Sequence, residues 1–237
     1  MAPISPLSRL QGMLFDLGGT LDADGEHWLN RFHLLYREVL PEVSWEELKA
    51  AFYAAEEALG MDPRAGELDL AGVVEFHVAQ QLRALGRADP NAARFLSQKF
   101  LASCREAFRR NAPVLARLAP RLKLGVVTNY YGNARRILKD AGLIPWLAVV
   151  VDSGAEGVRK PEAAIFELAL RRLNLTPDQA AFVGDSYSQD IRPAKLLGLT
   201  TVWLRNDAMS APLPPDFDPA AADFEISRLA ELEALIL

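Results

Sequence analysis

The stretch "MLFDLGGTLDADG", residues 13–25, decides how this chain is read. An apolar run stops at Asp16, two glycines follow, and Thr20 closes a tight polar turn. A carboxylate at the mouth of a strand, over a glycine-rich turn, suggests phosphate chemistry. Such a site often carries a second carboxylate two residues on, and here that position is Gly18.

Working outward, "GMLFD" (12–16) is the first of five short apolar runs that each end in small or polar residues. The others are "KLGVVTN" (123–129), "WLAVVVDSG" (146–154), "AAFVGDS" (180–186) and "TTVWL" (200–204). Runs this short, apolar on both faces and rich in Val, predict buried parallel strands. Helical patterns lie between most of them. "NARRILKDAGL" ends at Gly142, "PEAAIFELALRRLNL" carries Pro161 at its first position, and "SQDIRPAKLLGL" stops at Gly198, where a glycine C-cap belongs. Strand–helix alternation predicts an α/β fold with a doubly wound, Rossmann-like parallel sheet.

One interval breaks the alternation. Residues 23–111 contain no convincing strand but several amphipathic stretches, among them "SWEELKAAFYAAEEAL", which opens with Ser44 and Glu47 at capping-box spacing. "DLAGVVEFHVAQQLRALG" and "AARFLSQKFLASCREAFRRN" keep the same period of three and four. Residues 1–22 and 112–237 are therefore expected to form the core, and residues 23–111 an all-helical cap over the mouth of the first strand. The tail "ADFEISRLAELEALIL" is expected to add a final strand-turn and helix.

Bulk properties bound the function. Half of the 237 residues are apolar and 24% are charged, the balance of an ordinary globular protein large enough for a proper core. The net charge of −5 gives no reason to expect nucleic acid or an anionic membrane surface. The cluster Arg105, Arg109, Arg110 reads as a solvated helix face. Cys104 is the single cysteine, so no intramolecular disulfide forms and a reducing compartment fits best. "MAPISPLSRLQG" lacks the continuous apolar stretch of a signal peptide, and no run reaches the ~18 apolar residues of a membrane helix. A cytoplasmic protein is expected.

In an open parallel sheet, ligands bind outside the carboxyl ends of the strands, at the switch point. Asp16, Thr128–Asn129, Asp152–Ser153 and Asp185 are expected to converge there. At this point the chain resembles the haloacid-dehalogenase superfamily of hydrolases. "FDLGGTL" is similar to the family's nucleophile motif, "VVTN" to its second motif, "RKP" to its third and "VGDSYSQDI" to its fourth. The resemblance implies that Asp16 attacks phosphorus to give an aspartyl-phosphate, a recognised covalent strategy. It implies Mg²⁺ held by Asp16, Asp185 and Asp190 with the main-chain carbonyl of Gly18, the hard oxygen ligands this ion prefers. Lys160 would stand as a fixed positive charge against Asp16 and the phosphoryl oxygens. The Thr128 hydroxyl and the Asn129 amide would hold those oxygens by hydrogen bonds.

In phosphatases of this family the residue two after the nucleophile is usually an Asp that protonates the leaving oxygen and then deprotonates the attacking water. Gly18 cannot do that. Losing a positioned general acid–base costs roughly 10²–10⁴ in rate, about 3–5 kcal/mol of barrier. Three readings stay open. In the first, a metal-dependent phosphohydrolase of a small phosphate ester draws its proton from Asp22, Asp24, Glu26 or His27, or needs none because its leaving group is acidic. In the second, the chain cleaves carbon–phosphorus or carbon–halogen bonds. The former would need a cap lysine, for which Lys49 and Lys99 are the candidates, and the latter is metal-free in the family although "GDSYSQD" keeps an acidic motif. In the third, the scaffold binds or regulates without turnover.

Overall fold

The computed structural model describes residues 7, 9–206, 215 and 217–236, so the leader question at residues 1–12 falls largely outside the described residues. Six parallel strands form one sheet in the order β3-β2-β1-β4-β5-β6. They are β1 (Gly12–Phe15), β2 (Lys123–Thr128), β3 (Val149–Asp152), β4 (Ala180–Gly184), β5 (Thr200–Leu204) and β6 (Phe224–Ile226). All five apolar runs of the sequence are strands, and the tail supplies the sixth. The central strand β1 pairs Gly12 with Lys123 of β2 on one side and with Ala180 of β4 on the other. The chain leaves β1 toward β2 and β3, then returns to β4, which puts the switch point beside β1.

Alternate residues of β1 serve different faces. Met13 and Phe15 join one buried cluster with Leu124, Val126, Val183 and Val202, while Leu14 joins another with Val127, Val151 and Phe182. Helices cover both faces, as the strands' two-sided apolarity demands. On one side lie α4 (Pro90–Leu118), α5 (Ala134–Asp140) and α9 (Leu232–Ile236), and on the other α7 (Ala163–Leu173). The short α6 (Ser153–Glu156) leads out of β3, and α8 (Arg192–Leu197) ends at Gly198, whose φ of 95° only glycine adopts readily. Helix α7 begins later than expected. Pro161 precedes it, Glu162 is its N-cap, and Asn174 at φ 53° ends it.

Residues 23–111 contain no strand. Helices α1 (Trp28–Val39), α2 (Trp45–Met61) and α3 (Leu70–Ala84) precede α4. The capping box opens α2: the Glu47 amide donates to Ser44 Oγ and the Ser44 amide to Glu47 Oε2. Phe32 of α1 stacks on Phe100 of α4 at 4.1 Å between centroids, and Trp28 meets the same ring edge-on at 4.7 Å. The expected boundary at 111/112 falls inside α4, which runs through Pro113. An interior proline costs about 3 kcal/mol. Three turn-mates, Val114, Leu115 and Leu118, are fully buried against the sheet, each contributing roughly 1.5–3 kcal/mol. Burial outweighs the break. Asn111 also donates to the carbonyls of Leu21 and Ala23, tying α4 to the segment that leaves β1. Among the described residues no helix is long and apolar enough to cross a membrane.

Candidate active site

The C-terminal ends of β1, β2 and β4 open on a cavity of about 460 Å³. Asp16 stands directly after β1, with its amide donating to Val183 of β4. The turn that follows, Leu17–Leu21, brings Gly19 against Asp185: a Cβ there would lie 2.5 Å from that carboxylate, and its φ is +87°. Only glycine fits. Gly184 plays the same part for Asp190, whose carboxylate a Cβ would also meet at 2.5 Å. The two glycines let both acids press against main chain and face Asp16.

Oxygens of Asp16, Asp185 and Asp190 all lie within 4.8 Å of one another. Lys160, 3% exposed, reaches in from the loop before α7, with Nζ 2.6 Å from Asp16 Oδ1 and 2.7 Å from Asp190 Oδ1. Burial works against its charge, but the two carboxylates outweigh that penalty and hold the ammonium protonated above the usual lysine range. The acids respond in the opposite sense. Burial and the charges of Asp16 and Asp190 push Asp185 well above the usual carboxylate range, and burial pushes Asp190 up to about 6. Three carboxylates face one ammonium, so this buried group holds surplus negative charge that a divalent cation would offset. Asp16 Oδ2 and Asp185 Oδ2 remain open to it, because Asp16 Oδ1 meets Lys160 and Asp185 Oδ1 accepts from Thr20 Oγ1 at 3.0 Å. The cluster is suited to a hard metal ion. Asp190 is more committed: Oδ1 meets Lys160, and Oδ2 accepts the Ser186 amide at 3.0 Å.

Thr128 and Asn129 line the same cavity. The Asn129 side chain grips the Lys160 backbone at both ends, donating to its carbonyl at 3.0 Å and accepting its amide at 2.8 Å, so it aims the lysine. Asp152 does not join them. Its Oδ2 accepts the amides of Gly132 and Ala134 and its Oδ1 that of Gly154, all at 2.9 Å, while Ser153 Oγ donates to the Tyr130 carbonyl. Both serve the chain, not the cavity.

The four acid–base candidates after Gly18 also separate. Asp22 is buried, with Oδ1 accepting the Gly19 amide at 2.7 Å and Oδ2 the Trp28 indole N–H at 2.6 Å, beside Arg31. Burial raises its pKa, but it knots the turn to α1 and does not reach the cavity. Asp24 pairs with Arg110 and Glu26 accepts from Asn206. Of the four, His27 alone lines the cavity. Both lysines proposed for carbon–phosphorus chemistry are exposed on their helices, and neither lines it. Cys104 is buried, which pushes its thiol far up and leaves it inert. Of the arginine cluster, Arg109 pairs with Glu106 and Arg110 with Asp24.

Sequence reasoning missed the far wall. Phe52 and Glu56 of α2 face the carboxylate cluster across the cavity, together with Tyr131 and Arg159. Glu56 Oε1 lies 2.9 Å from His77 Nε2, and Oε2 accepts from Tyr131 Oη at 2.9 Å. Burial opposes its charge, yet these hydrogen bonds prevail and hold the carboxyl below the usual range. His77 is fully buried, with Gln81 Nε2 at 2.7 Å from its Nδ1. An available signal was the acid beside the stripe Leu48, Phe52, Ala55, Leu59, and another was Arg159 preceding Lys160.

Known proteins are similar to this chain. The chain is 30% identical to a phosphoserine phosphatase of Thermus thermophilus, covering 96% of this chain and 91% of that protein. It is 38% identical over 111 residues to a glyceraldehyde 3-phosphate phosphatase of Methanopyrus kandleri, 46% of this chain and 47% of that one. The crystal structure of a HAD phosphatase from Thermococcus onnurineus superposes with a TM-score of 0.53 at 26% identity, covering 95% and 97% of the two chains. The family model for haloacid dehalogenase-like hydrolases matches residues 10–198, from the strand that carries Asp16 through the turn that carries Asp190. The chain belongs to the haloacid dehalogenase-like hydrolases.

Proposed function

We propose that this protein is a Mg²⁺-dependent phosphohydrolase of a small phosphate ester, working in the cytoplasm through an aspartyl-phosphate on Asp16. The observation that carries the reading is Lys160 set between Asp16 and Asp190, with Asp185 beside them. Bound at Asp16, Asp185, the Gly18 carbonyl and, in support, Asp190, the metal would neutralise charge on the transferring group. Lys160 holds Asp16 by an ion pair and offers its ammonium to the phosphoryl oxygens, while Thr128 and the Asn129 amide donate to them. Residues 23–111 act as the cap that excludes water, with 1–22 and 112–237 as the core. Excess chelator should abolish turnover of a phosphate-ester panel, and added Mg²⁺ should restore it. Undiminished turnover in chelator would favour a dehalogenase-like activity instead.

The far wall supports a narrower substrate class. A fixed Glu56 carboxylate repels a phosphate dianion unless the substrate also carries a cation. Glu56 suits an ammonium and Arg159 a carboxylate, so a phosphorylated amino acid fits better than a neutral sugar phosphate. The Thermus relative named a phosphoserine phosphatase agrees with that choice. A hydrogen bond to a charged group contributes about 1.5–3 kcal/mol. Glu56→Gln should therefore lower kcat/KM for phosphoserine roughly 10–100-fold, with little change for phosphoglycolate. Equal losses on both substrates would overturn the assignment of Glu56.

A further inference from the structure

His27 is the N-cap of α1, and its Nδ1 accepts the Leu29 amide at 3.2 Å. An amide nitrogen can only donate, so Nδ1 is unprotonated and the single proton of the neutral ring sits on Nε2. The residue lines the cavity wall. The ring edge not taken by the cap therefore carries an N–H donor and no acceptor. A second proton on Nδ1 would meet the Leu29 N–H head on and break the cap. Crowding by the surrounding protein also holds the imidazole below its usual range, against the pull of Glu56, Asp16 and Asp22. His27 is built to stay neutral.

We propose that His27 takes over part of the work of the missing acid at position 18, as a neutral hydrogen-bond donor to the ester oxygen that leaves. This rests on the phosphohydrolase reading. As Asp16 forms its bond to phosphorus, the ester P–O bond breaks and its electron pair goes to the leaving oxygen. The His27 Nε2–H hydrogen-bonds to the charge that develops there and keeps its own proton. The proton that completes the alcohol comes from a water molecule, which becomes hydroxide. A donor held at the place where charge develops is worth roughly 10²–10³ in rate. Asp22, Asp24 and Glu26 cannot share the task, since each is tied elsewhere.

The test compares wild type, His27→Ser and His27→Gln on phosphate monoesters ranging from nitrophenyl to simple alkyl leaving groups, with Mg²⁺ present. Serine keeps an N-cap acceptor for the Leu29 amide and removes the imidazole N–H and its reach. His27→Ser should leave nitrophenyl phosphate turnover within a few-fold of wild type and cut alkyl ester turnover roughly 10²-fold, steepening the dependence on leaving-group acidity. His27→Gln, whose carboxamide still donates, should recover part of the alkyl rate. Equal losses across the series, or no loss, in a His27→Ser protein that melts like wild type would overturn the proposal. If His27→Ser melts far earlier, His27→Gln decides: an alkyl-to-aryl ratio as low as that of a cavity without a donor overturns it. A wild type that hydrolyses none of these esters would remove the phosphohydrolase reading, and this inference with it.

Discussion

Asp16→Asn should abolish hydrolysis while leaving a folded protein. The substitution keeps the shape of the side chain, and an amide oxygen can still accept from Lys160 Nζ, which lies 2.6 Å from Asp16 Oδ1. What disappears is the proposed nucleophile. Removing one member of a covalent catalytic unit costs roughly 10⁴–10⁶ in kcat, far more than any neighbouring positioning group supplies. Loss of folding is not expected, because Asp16 is one of three carboxylates crowded within 4.8 Å, and deleting its charge relieves repulsion on Asp185 and Asp190. The cost is a weaker partner for Lys160, which still has Asp190 at 2.7 Å. A beryllium fluoride adduct should form on Asp16 in the wild type and not in the variant. Full activity in Asp16→Asn would end the covalent mechanism.

What the sequence allowed to be read follows from physical scale. Strands buried on both faces are mostly apolar along their length, so all five runs were visible, and Asp16 and Asp185 stood out as the first charged groups after their runs. The same local signal misled at Asp152. "VVVDS" and "FVGDS" are alike as strings, yet the Asp152 carboxylate is consumed by the amides of Gly132, Ala134 and Gly154. Which fate befalls a strand-end acid depends on the loop that folds over it, and that loop begins some twenty residues upstream. Glu56 and Glu57 are adjacent and identical in type. Only the packing of α2 through Ala51, Phe52, Ala55 and Leu59 turns Glu56 to the cavity. The expected boundary at 111/112 falls inside α4, where local propensity disfavours Pro113 and the burial of its neighbours keeps the helix going.

Gly18→Asp should raise turnover of alkyl phosphates by up to the ~10²–10⁴ typical of general acid catalysis, and flatten the dependence on leaving-group acidity. The backbone permits the change. Gly18 sits at φ −76° and ψ 120°, extended values open to any residue, and its added Cβ would lie 3.8 Å from Trp28 Nε1 and 4.0 Å from the Tyr130 ring. Both are ordinary contacts. Gly19, one residue on, is the opposite case, since a side chain there would collide with Asp185. The new carboxyl would enter the cavity that Gly18 already lines, at the level of Asp16. It would also come near the indole N–H that Trp28 now donates to Asp22, so a small change in melting temperature should accompany the gain. In the wild type, aryl and acyl phosphates should turn over faster than alkyl ones, because a neutral donor eases the departure of the leaving oxygen without transferring a proton to it. A linear plot of log kcat against leaving-group pKa, measured for both proteins, reads the effect directly. If the wild-type plot is already flat, the chain has a full proton donor and Gly18 does not limit the reaction. If it is steep and Gly18→Asp leaves it unchanged in a protein that melts normally, the leaving oxygen does not lie beside residue 18, and the substrate is held the other way round in the cavity.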